Sequence, residues 1–442
     1  MTNILKNAAG LSVFAGLLAA SPANAQMATN NVVLIIADDV GTDQLGLYGL
    51  SADPANTPNI DALASGGQIY REAWANPTCS PTRASVYTGK HAFRHGVGAA
   101  ITDVDTDPEL LPSETTLPEV MASAGYDNGL VGKWHLGDEG SESNDCAAPF
   151  VHGWGFFNGA LAGAVADHYD WAKCAAGASS QSTTWTAADN VADAVSFIQQ
   201  PRSGPYMLTV AFNMAHTPWQ LPPAGTYGTP GRCPTNLRQT IANRDCYRAM
   251  IENLDHAIGT LLGAIDLSTT TVILVGDNGS PVQGVAAGTY SPLKAKGTVY
   301  QGGVRVPLII HSPAISDAGW VEAPVHALDI FATVAELAGQ SSATAVDSTS
   351  LVPYFGAKSR PPLVPRVYSE GFIGSDDCGS GDAAAIRGPR YKLVRNACQT
   401  DELYDLSQDP YEGTDLLQGN LTRVEQRAYE RLAQAMVDLR GR

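Results

Sequence analysis

Acidic residues stand directly after two apolar runs that have the pattern of buried strands. Asp38 and Asp39 follow residues 31–36, and Asp277 and Asn278 follow residues 271–275. Three carboxylates and one amide oxygen are ligands that Ca²⁺ or Mg²⁺ prefers, whereas zinc favours histidine or cysteine. One such pair alone is usually a solvated turn. Two pairs at two strand ends instead predict a site for a divalent cation.

Cys79 is set apart from the other six cysteines by its spacing. Other pairings remain open, but proximity in the chain favours the disulfides Cys146–Cys174, Cys233–Cys246 and Cys378–Cys398. This leaves Cys79 alone. An odd cysteine in an oxidising compartment is either a free reactive thiol or a residue that is chemically converted.

The residues after Cys79 favour a helix that begins here. Pro81 is suited to the first turn of a helix running through Tyr87, which would place Cys79 at the positive N-terminal end. Arg83 would lie on the same turn, so an anion held there would experience both the helix dipole and the guanidinium. The alternative is a spare structural thiol, which the short pattern C-x-P-x-R does not exclude by itself.

Four further basic residues lie near strand ends: Lys133, His135, His216 and Lys296. Lys133 and His135 alternate along a segment that we expect to be extended, so their side chains should point to the same side. Taken singly, each of the four is more often a surface charge or a satisfied structural group. Their position beside the acidic pairs makes them candidates for catalysis.

The apolar pattern predicts an α/β fold. Strands are expected at residues 31–36, 128–131, 206–212 and 271–275, with helices at 57–66, 116–124, 187–199 and 244–265. Such alternation indicates a large mixed, mostly parallel sheet sandwiched by helices. Ligands bind beyond the carboxyl ends of the strands in these sheets, and the polar residues named above stand there.

The chain changes character after a helix predicted at residues 328–339. Short strands are expected at 367–372, 384–386, 391–395 and 402–404, followed by a terminal helix at 422–439. We therefore assign residues 26–360 to a catalytic domain and residues 361–442 to a small α+β domain with an antiparallel sheet.

The N-terminus has the pattern of a cleaved signal peptide. Lys6 precedes the apolar run 8–20, and Ala23-Asn24-Ala25 offers a cleavage site before Gln26. Residues 1–25 thus predict a secreted or periplasmic protein, where Ca²⁺ is plentiful, and no later stretch is long enough to span a membrane. The net charge of −17 disfavours nucleic acid as a partner.

The ordered motifs resemble the formylglycine-dependent sulfatases of the alkaline-phosphatase superfamily. The matching segments are VVLIIADDVGTDQLGLYG, TPNIDALASGG, NPTCSPTRASVYTGKHAFRHGV, GLVGKWHLG, AHTPW, VILVGDNGS, AKGTVYQGGVRVP and ELYDLSQDPYE. They occur in the family's order and are spread across nearly the whole chain after the signal peptide. The resemblance implies hydrolysis of an aryl, alkyl or carbohydrate sulfate ester to an alcohol and sulfate.

The resemblance also implies roles for the matching residues. One Ca²⁺ would be bound by Asp38, Asp39, Asp277 and Asn278. A maturation enzyme acting on the unfolded chain would oxidise Cys79 to formylglycine, whose hydrate is the nucleophile. Arg83, Lys133 and His135 would surround that hydrate, Lys133 and Lys296 would bind sulfate oxygens, and His216 would face the leaving-group oxygen.

Three positions differ from the usual family pattern or need a choice. Thr82 replaces the more common serine, and Gln301 stands where glutamate is frequent; neither is expected to alter the chemistry. Lys294 and Lys296 are close together, and the K-G-T-x-Y-x-G-G match selects Lys296.

Two other functions compete with sulfate hydrolysis. A phosphonate monoester or phosphodiester hydrolase could use the same nucleophile, because formylglycine can also attack phosphorus. A non-catalytic binder of sulfated glycans would be expected to have lost the cysteine or the acidic residues, all of which are present.

Oxidation of Cys79 to formylglycine is directly measurable. The tryptic peptide spanning Glu72 to Arg83 from protein expressed with the maturation machinery should be lighter by about 18 Da, because sulfur leaves as the thiol becomes an aldehyde. Mass spectrometry of that peptide is the test. An unmodified thiol in active protein would contradict the assignment, whereas one in inactive protein would identify a host that cannot mature the chain.

Overall fold

The computed structural model describes residues 30–102, 107–137, 146–228, 233, 243–340, 344, 346–372, 382–396 and 401–441. The predicted signal peptide and the predicted disulfide Cys378–Cys398 lie outside these residues. Within them, no helix is long and apolar enough to cross a membrane.

Ten strands form one large sheet. They are β1 (Asn31–Ala37), β2 (Gln68–Tyr70), β4 (Asp127–Lys133), β5 (Phe157–Ala160), β6 (Trp171–Ala175), β7 (Ala178–Ser182), β8 (Tyr206–Ala211), β9 (Thr270–Gly276), β10 (Leu308–His311) and β11 (Gly319–Val321). Their order across the sheet is β11-β2-β10-β9-β1-β8-β4-β5-β6-β7. The central strands β9, β1, β8, β4 and β5 are parallel. Strand β10 and the hairpin β6–β7 run antiparallel to their neighbours, so the prediction of a mixed, mostly parallel sheet is confirmed.

Helices lie on both faces of this sheet and on the C-terminal sheet described below. They are α1 (Pro58–Ser65), α2 (Cys79–Thr88), α3 (Ala92–His95), α4 (Leu117–Ser123), α5 (Ala148–Val151), α6 (Thr186–Ile198), α7 (Arg244–Leu262), α8 (Gln301–Val304), α9 (Asp329–Leu337), α10 (Val352–Phe355) and the terminal α11 (Arg423–Arg440). Short 3₁₀ turns occur at Thr42–Gln44, Gly46–Tyr48, Pro292–Lys294 and Leu416–Gln418.

Strand β1 shows why both faces are covered. Val32, Leu34 and Ile36 belong to the apolar core shared with α2 and α9. Val33 and Ile35 belong to the core shared with α1, α6 and α7. Successive side chains of a strand point to opposite faces, so a continuous β-branched run requires an apolar partner on each side.

The C-terminal part forms a separate antiparallel sheet, as predicted. Strands β13 (Val367–Gly371), β14 (Ala383–Arg387), β15 (Tyr391–Asn396) and β16 (Asp401–Asp405) pair in chain order. Helix α11 packs on this sheet through Leu432 and Met436. Strands β3 (Ala73–Trp74) and β12 (Val325–His326) form a two-stranded parallel sheet, and both contact β13 of the C-terminal sheet. The domain boundary at residue 360 stays a prediction.

Two local expectations need correction. Helix α2 begins at Cys79 itself, two residues before Pro81. Strand β4 ends at Lys133, and His135 has a left-handed backbone with φ of 60°, so the segment between them is not extended throughout. Both side chains still reach one site, but through a turn in the chain rather than strand alternation.

The disulfides Cys146–Cys174 and Cys233–Cys246 are present.

Candidate active site

The two acidic pairs meet because their strands are neighbours. Strands β1 and β9 are parallel and in register, with Ala37 opposite Gly276, so the residues that follow them emerge side by side. The Asp39 amide donates to Oδ1 of Asp277 at 3.1 Å, and Nδ2 of Asn278 donates to Oδ1 of Asp39 at 2.8 Å. Asp38, Cys79 and Asp277 each offer a ligand atom within 4.8 Å of the others.

The donor set fits a cation. Among the described residues, Oδ1 of Asp38 and Oδ1 of Asn278 are buried without a hydrogen-bond partner. Burial and the nearby Asp277 raise the pKa of Asp38 well above its usual range, despite the opposing charge of Lys133. Buried oxygens without partners are costly, and a divalent ion would satisfy both. An all-oxygen site of this kind suits Ca²⁺ better than zinc.

Lys133 and Arg83 balance the buried carboxylates. Nζ of Lys133 lies 2.7 Å from Oδ2 of Asp38, and both side chains are fully buried. Nη2 of Arg83 lies 2.8 Å from Oδ2 of Asp277, and Nη1 donates to the Lys133 carbonyl at 2.9 Å. The Arg83 guanidinium therefore fixes two other members of the site, a role that its predicted position on the first helical turn did not reveal.

Cys79 lies at the first position of α2 and is buried. Its Sγ is 3.1 Å from Nδ1 of His135. Nε2 of His135 is 2.8 Å from the Ile101 carbonyl, which can only accept a hydrogen bond, so Nε2 carries the proton. Burial, followed by the charge of Lys133, lowers the pKa of His135 well below its usual value. Nδ1 is thus poised to accept a proton from the group at position 79.

Two residues that sequence reasoning missed hold His135 in this state. Oγ of Ser80 accepts from the Ile101 amide at 3.1 Å and so holds the residue whose carbonyl accepts from His135. Gly163 lies against the ring: a Cβ there would stand 2.3 Å from Cε1 and Nε2. Ser80 adjoins Cys79 in the chain, but no sequence signal marks Ile101 or Gly163 as neighbours of His135.

His216 and Lys296 lie on the accessible side of the cluster. Each side chain is 19% exposed, whereas those of Asp38 and Lys133 are fully buried, so the opening is next to His216 and Lys296. Nζ of Lys296 contacts Oδ1 of Asp39 at 2.5 Å, and Nε2 of His216 is 3.9 Å from Oδ2 of the same residue. Burial opposes ionisation of Asp39, but the charge of Lys296, together with the hydrogen bond from Asn278, outweighs it and keeps the pKa of Asp39 below the usual range.

Lys294 and Gln301, which the sequence analysis singled out, do not contact the acidic cluster in the described part of the chain. Nζ of Lys294 contacts the hydroxyl of Tyr404 and the carbonyl of Glu412, in the C-terminal part of the chain. Oε1 of Gln301 accepts from Nε1 of Trp74 at 2.8 Å. Of the two neighbouring lysines, it is Lys296 that contacts the acidic cluster.

A network of buried hydrogen bonds supports the loops that carry the acidic cluster. Asp39 has a φ of 61°, which is unusual for a residue other than glycine. The Tyr247 hydroxyl donates to its carbonyl at 2.5 Å. Asp43 accepts from the Ser280 hydroxyl at 2.6 Å and from the Ala286 amide at 2.8 Å, which ties the loop after β9 to the loop after β1. These supporting residues carried no recognisable signal of their own in the sequence.

The comparison with known families decides the relationship. The Sulfatase family profile matches residues 30–340, well over half of the chain. The chain belongs to the sulfatase family. Sulfatases are sulfuric ester hydrolases. A second profile, described as N-sulphoglucosamine sulphohydrolase, C-terminal, matches residues 293–440 of this sulfatase and includes Lys296 and the antiparallel sheet.

Curated relatives and solved structures agree with this assignment. The sulfatase is 30% identical to arylsulfatase J of Mus musculus over 70% of its own chain, and spans only about half (52%) of that relative. It is 28% identical to arylsulfatase A of Bos taurus, with 92% of this chain and 86% of the relative covered. The crystal structure of Ps i-CgsB in complex with k-i-k-neocarrahexaose shares the fold, with a TM-score of 0.77, 23% identity and 93% of each chain covered.

A bound cation should be visible in the thermal stability of this sulfatase. Protein stripped with a chelator should melt at a higher temperature after Ca²⁺ is added, since a ligand at a hundred times its Kd stabilises the folded state by about 2.7 kcal/mol. Asp38→Asn removes one ligand charge and should weaken calcium binding by about tenfold or more. Asp438→Asn, at an exposed position of α11, is the control. An equal calcium response in wild type and Asp38→Asn would contradict the proposed ligand set.

Proposed function

We propose that this protein hydrolyses a sulfate monoester to an alcohol and sulfate, with formylglycine derived from Cys79 as nucleophile and Ca²⁺ as the resident metal. The observation that carries the proposal is the position of Cys79. It is the first residue of α2, it lies outside the disulfides of the described chain, and its Sγ faces Nδ1 of His135 at 3.1 Å beside Asp38 and Asp277. A structural thiol needs none of these neighbours.

The charges around Cys79 suit a sulfate group. A sulfate monoester spreads its negative charge over oxygens that surround sulfur, and attack on sulfur requires that charge to be stabilised. Lys133 and Lys296 would bind these oxygens, and the positive end of α2 faces the same place. Ca²⁺, when bound by Asp38, Asp39, Asp277 and Asn278, supplies further positive charge as a Lewis acid.

The histidines would move the protons. Formylglycine, when present as its hydrate, would supply two hydroxyls. One is the nucleophile towards sulfur. Loss of the proton from the second re-forms the aldehyde and releases sulfate. His135 accepts the proton of that second hydroxyl at Nδ1, because Nε2 is occupied by the Ile101 carbonyl. His216 or Lys296, on the open side of the site, would donate a proton to the leaving alcohol.

The proposal includes a partner and a location. A maturation enzyme would have to oxidise Cys79 before the chain folds, since the residue is only 2% exposed afterwards. The predicted signal peptide at residues 1–25 would direct the chain to the periplasm or the extracellular space. The enzyme would therefore meet its sulfate ester substrate in one of these compartments.

Replacement of Cys79 tests the nucleophile. Cys79→Ala should abolish release of sulfate from an aryl sulfate, because alanine can form neither a hydrate nor a thiolate. Cys79→Ser should be equally inactive in a host that does not oxidise serine. A melting temperature equal to that of wild type serves as the control for folding. Sulfate release by Cys79→Ala would refute the assignment.

The same assay separates the competing functions. Fully modified wild-type protein should turn over an aryl sulfate with a higher kcat/KM than the matching aryl phosphonate. The reverse order would favour the phosphonate or phosphodiester hydrolase. Retained binding of a sulfated glycan without any turnover would favour the non-catalytic binder.

Gly163→Ala tests the role of His135. The new Cβ would displace the ring from Cys79, and a shift of about 1 Å at a reacting group lowers the rate by about a hundredfold. We expect kcat/KM for the aryl sulfate to fall to that extent at unchanged formylglycine content. The matched control is Gly356→Ala, whose Cβ would meet its nearest neighbour at 3.8 Å. Wild-type activity in Gly163→Ala would contradict the proton-accepting role of this imidazole.

A further inference from the structure

The motif ELYDLSQDPYE of the C-terminal sheet has no role in the chemistry proposed above, yet it is bound to the segment that carries Lys296. Residues 294–301, here called the Lys296 segment, are fixed on their inner side to the active-site loops. The Lys296 amide donates to the Ser280 carbonyl at 3.0 Å, and the Gly297 amide donates to the Pro77 carbonyl at 2.8 Å.

The outer side of the Lys296 segment is held by the C-terminal sheet. Nζ of Lys392, on β15, donates to the Val299 carbonyl at 2.8 Å. Oε2 of Glu412 accepts from the Gln301 amide at 2.7 Å, and its carbonyl accepts from Nζ of Lys294 at 2.5 Å. The side chain of Lys294, the carbonyl of Val299 and the amide of Gln301 are therefore all bound to Lys392 or Glu412. These two residues lie about a hundred positions later in the chain.

Lys392 and Glu412 also bind each other. Nζ of Lys392 is 2.6 Å from Oε1 of Glu412, and both side chains are completely buried. Burial lowers the pKa of Lys392 to about 8 although Glu412 opposes the shift, so enclosing this cation is unfavourable. A buried ion pair of this kind is rarely more stabilising than apolar residues of the same size, which points to a role in defining geometry.

A turn in the motif fixes the position of Glu412. The backbone of Glu412 is left-handed, with φ of 58°. The turn is closed by Asp409, whose carboxylate accepts from the Gly413 amide at 2.9 Å and from the Thr414 amide at 2.7 Å. At the other end of the motif, Glu402 accepts from the Tyr300 hydroxyl at 2.8 Å, again within the Lys296 segment.

We propose that Glu412 and Lys392 are positioning residues for Lys296: the C-terminal sheet fixes the backbone of the Lys296 segment so that Nζ of Lys296 reaches the sulfate. This inference rests on the proposed function. A flexible lysine with four rotatable bonds holds one position only if its backbone is fixed, and loss of a supporting residue around a site lowers activity by about tenfold to a hundredfold.

The test removes the pair and asks whether the effect passes through Lys296. The variant Lys392→Met/Glu412→Gln removes both charges together and leaves no buried charge without a partner. We expect kcat/KM for an aryl sulfate, normalised to formylglycine content, to fall by about tenfold or more. In a Lys296→Ala background the same two substitutions should change kcat/KM by less than about twofold, because the residue they position is gone.

The control is another ion pair of the C-terminal sheet. Arg395 and Asp401 are cross-strand partners on β15 and β16, with Nη2 and Oδ2 2.7 Å apart, and among the described residues neither is hydrogen-bonded to the Lys296 segment. Arg395→Met/Asp401→Asn should leave kcat/KM unchanged in both backgrounds. Tyr404→Phe removes the hydroxyl that accepts from Lys294 and donates to Glu402, and should lower kcat/KM about threefold even if the Glu412 variant fails to fold.

Two results would overturn the inference. One is wild-type kcat/KM in Lys392→Met/Glu412→Gln or, if that variant does not fold, in Tyr404→Phe. The other is an equal loss with and without Lys296, which would mean that the ion pair only supports folding. Absence of sulfate release from fully modified wild-type protein is a different outcome: it would refute the proposed function itself, and the inference with it.

Discussion

Three carboxylates are buried together at the ends of two adjacent strands, and their mutual repulsion governs the surrounding structure. Asp38, Asp39 and Asp277 lie within a few ångströms of one another, away from water. Like charges in a medium of low dielectric constant repel strongly unless cations face them. The positions of the neighbouring basic residues follow from this requirement.

Each carboxylate has its own cation. Lys133 faces Asp38, Arg83 faces Asp277 and Lys296 faces Asp39. The three cations come from β4, from α2 and from the loop before α8, so the acidic cluster joins three separate parts of the chain. Oδ1 of Asp38 and Oδ1 of Asn278, which have no hydrogen-bond partner among the described residues, lie in this same cluster. A divalent ion would bind both oxygens and add the positive charge that the cluster still needs.

The same arrangement prepares position 79 for chemistry. Cys79 enters the field of Lys133, Lys296 and Arg83 because α2 begins directly beside the strand ends. His135 stays neutral there, since burial and the adjacent cations oppose its protonation. A site that is rich in fixed positive charge but contains a neutral base is suited to bind an anionic ester and to accept a proton within it.

The sequence by itself determined the parts that depend on neighbours in the chain. Local pattern and spacing determined the β-branched runs that become β1 and β9, the cysteine at the N-terminal end of a helix, the antiparallel strands of the C-terminal sheet and two of the three disulfide pairs. Periodicity and turn residues act over a few positions, so they can be read without a structure. The acidic pairs could be placed together because parallel strands end at the same edge of a sheet.

Tertiary structure alone decided the contacts between distant segments. The tautomer of His135 depends on the carbonyl of Ile101, and its ring position depends on Gly163, 28 residues later in the sequence. Arg83 donates a hydrogen bond to Asp277, 194 positions away, and the Gln301 amide donates one to Glu412, 111 positions away. Such contacts are selected by how whole elements pack, because a backbone carbonyl or a missing Cβ has no sequence pattern that names its partner.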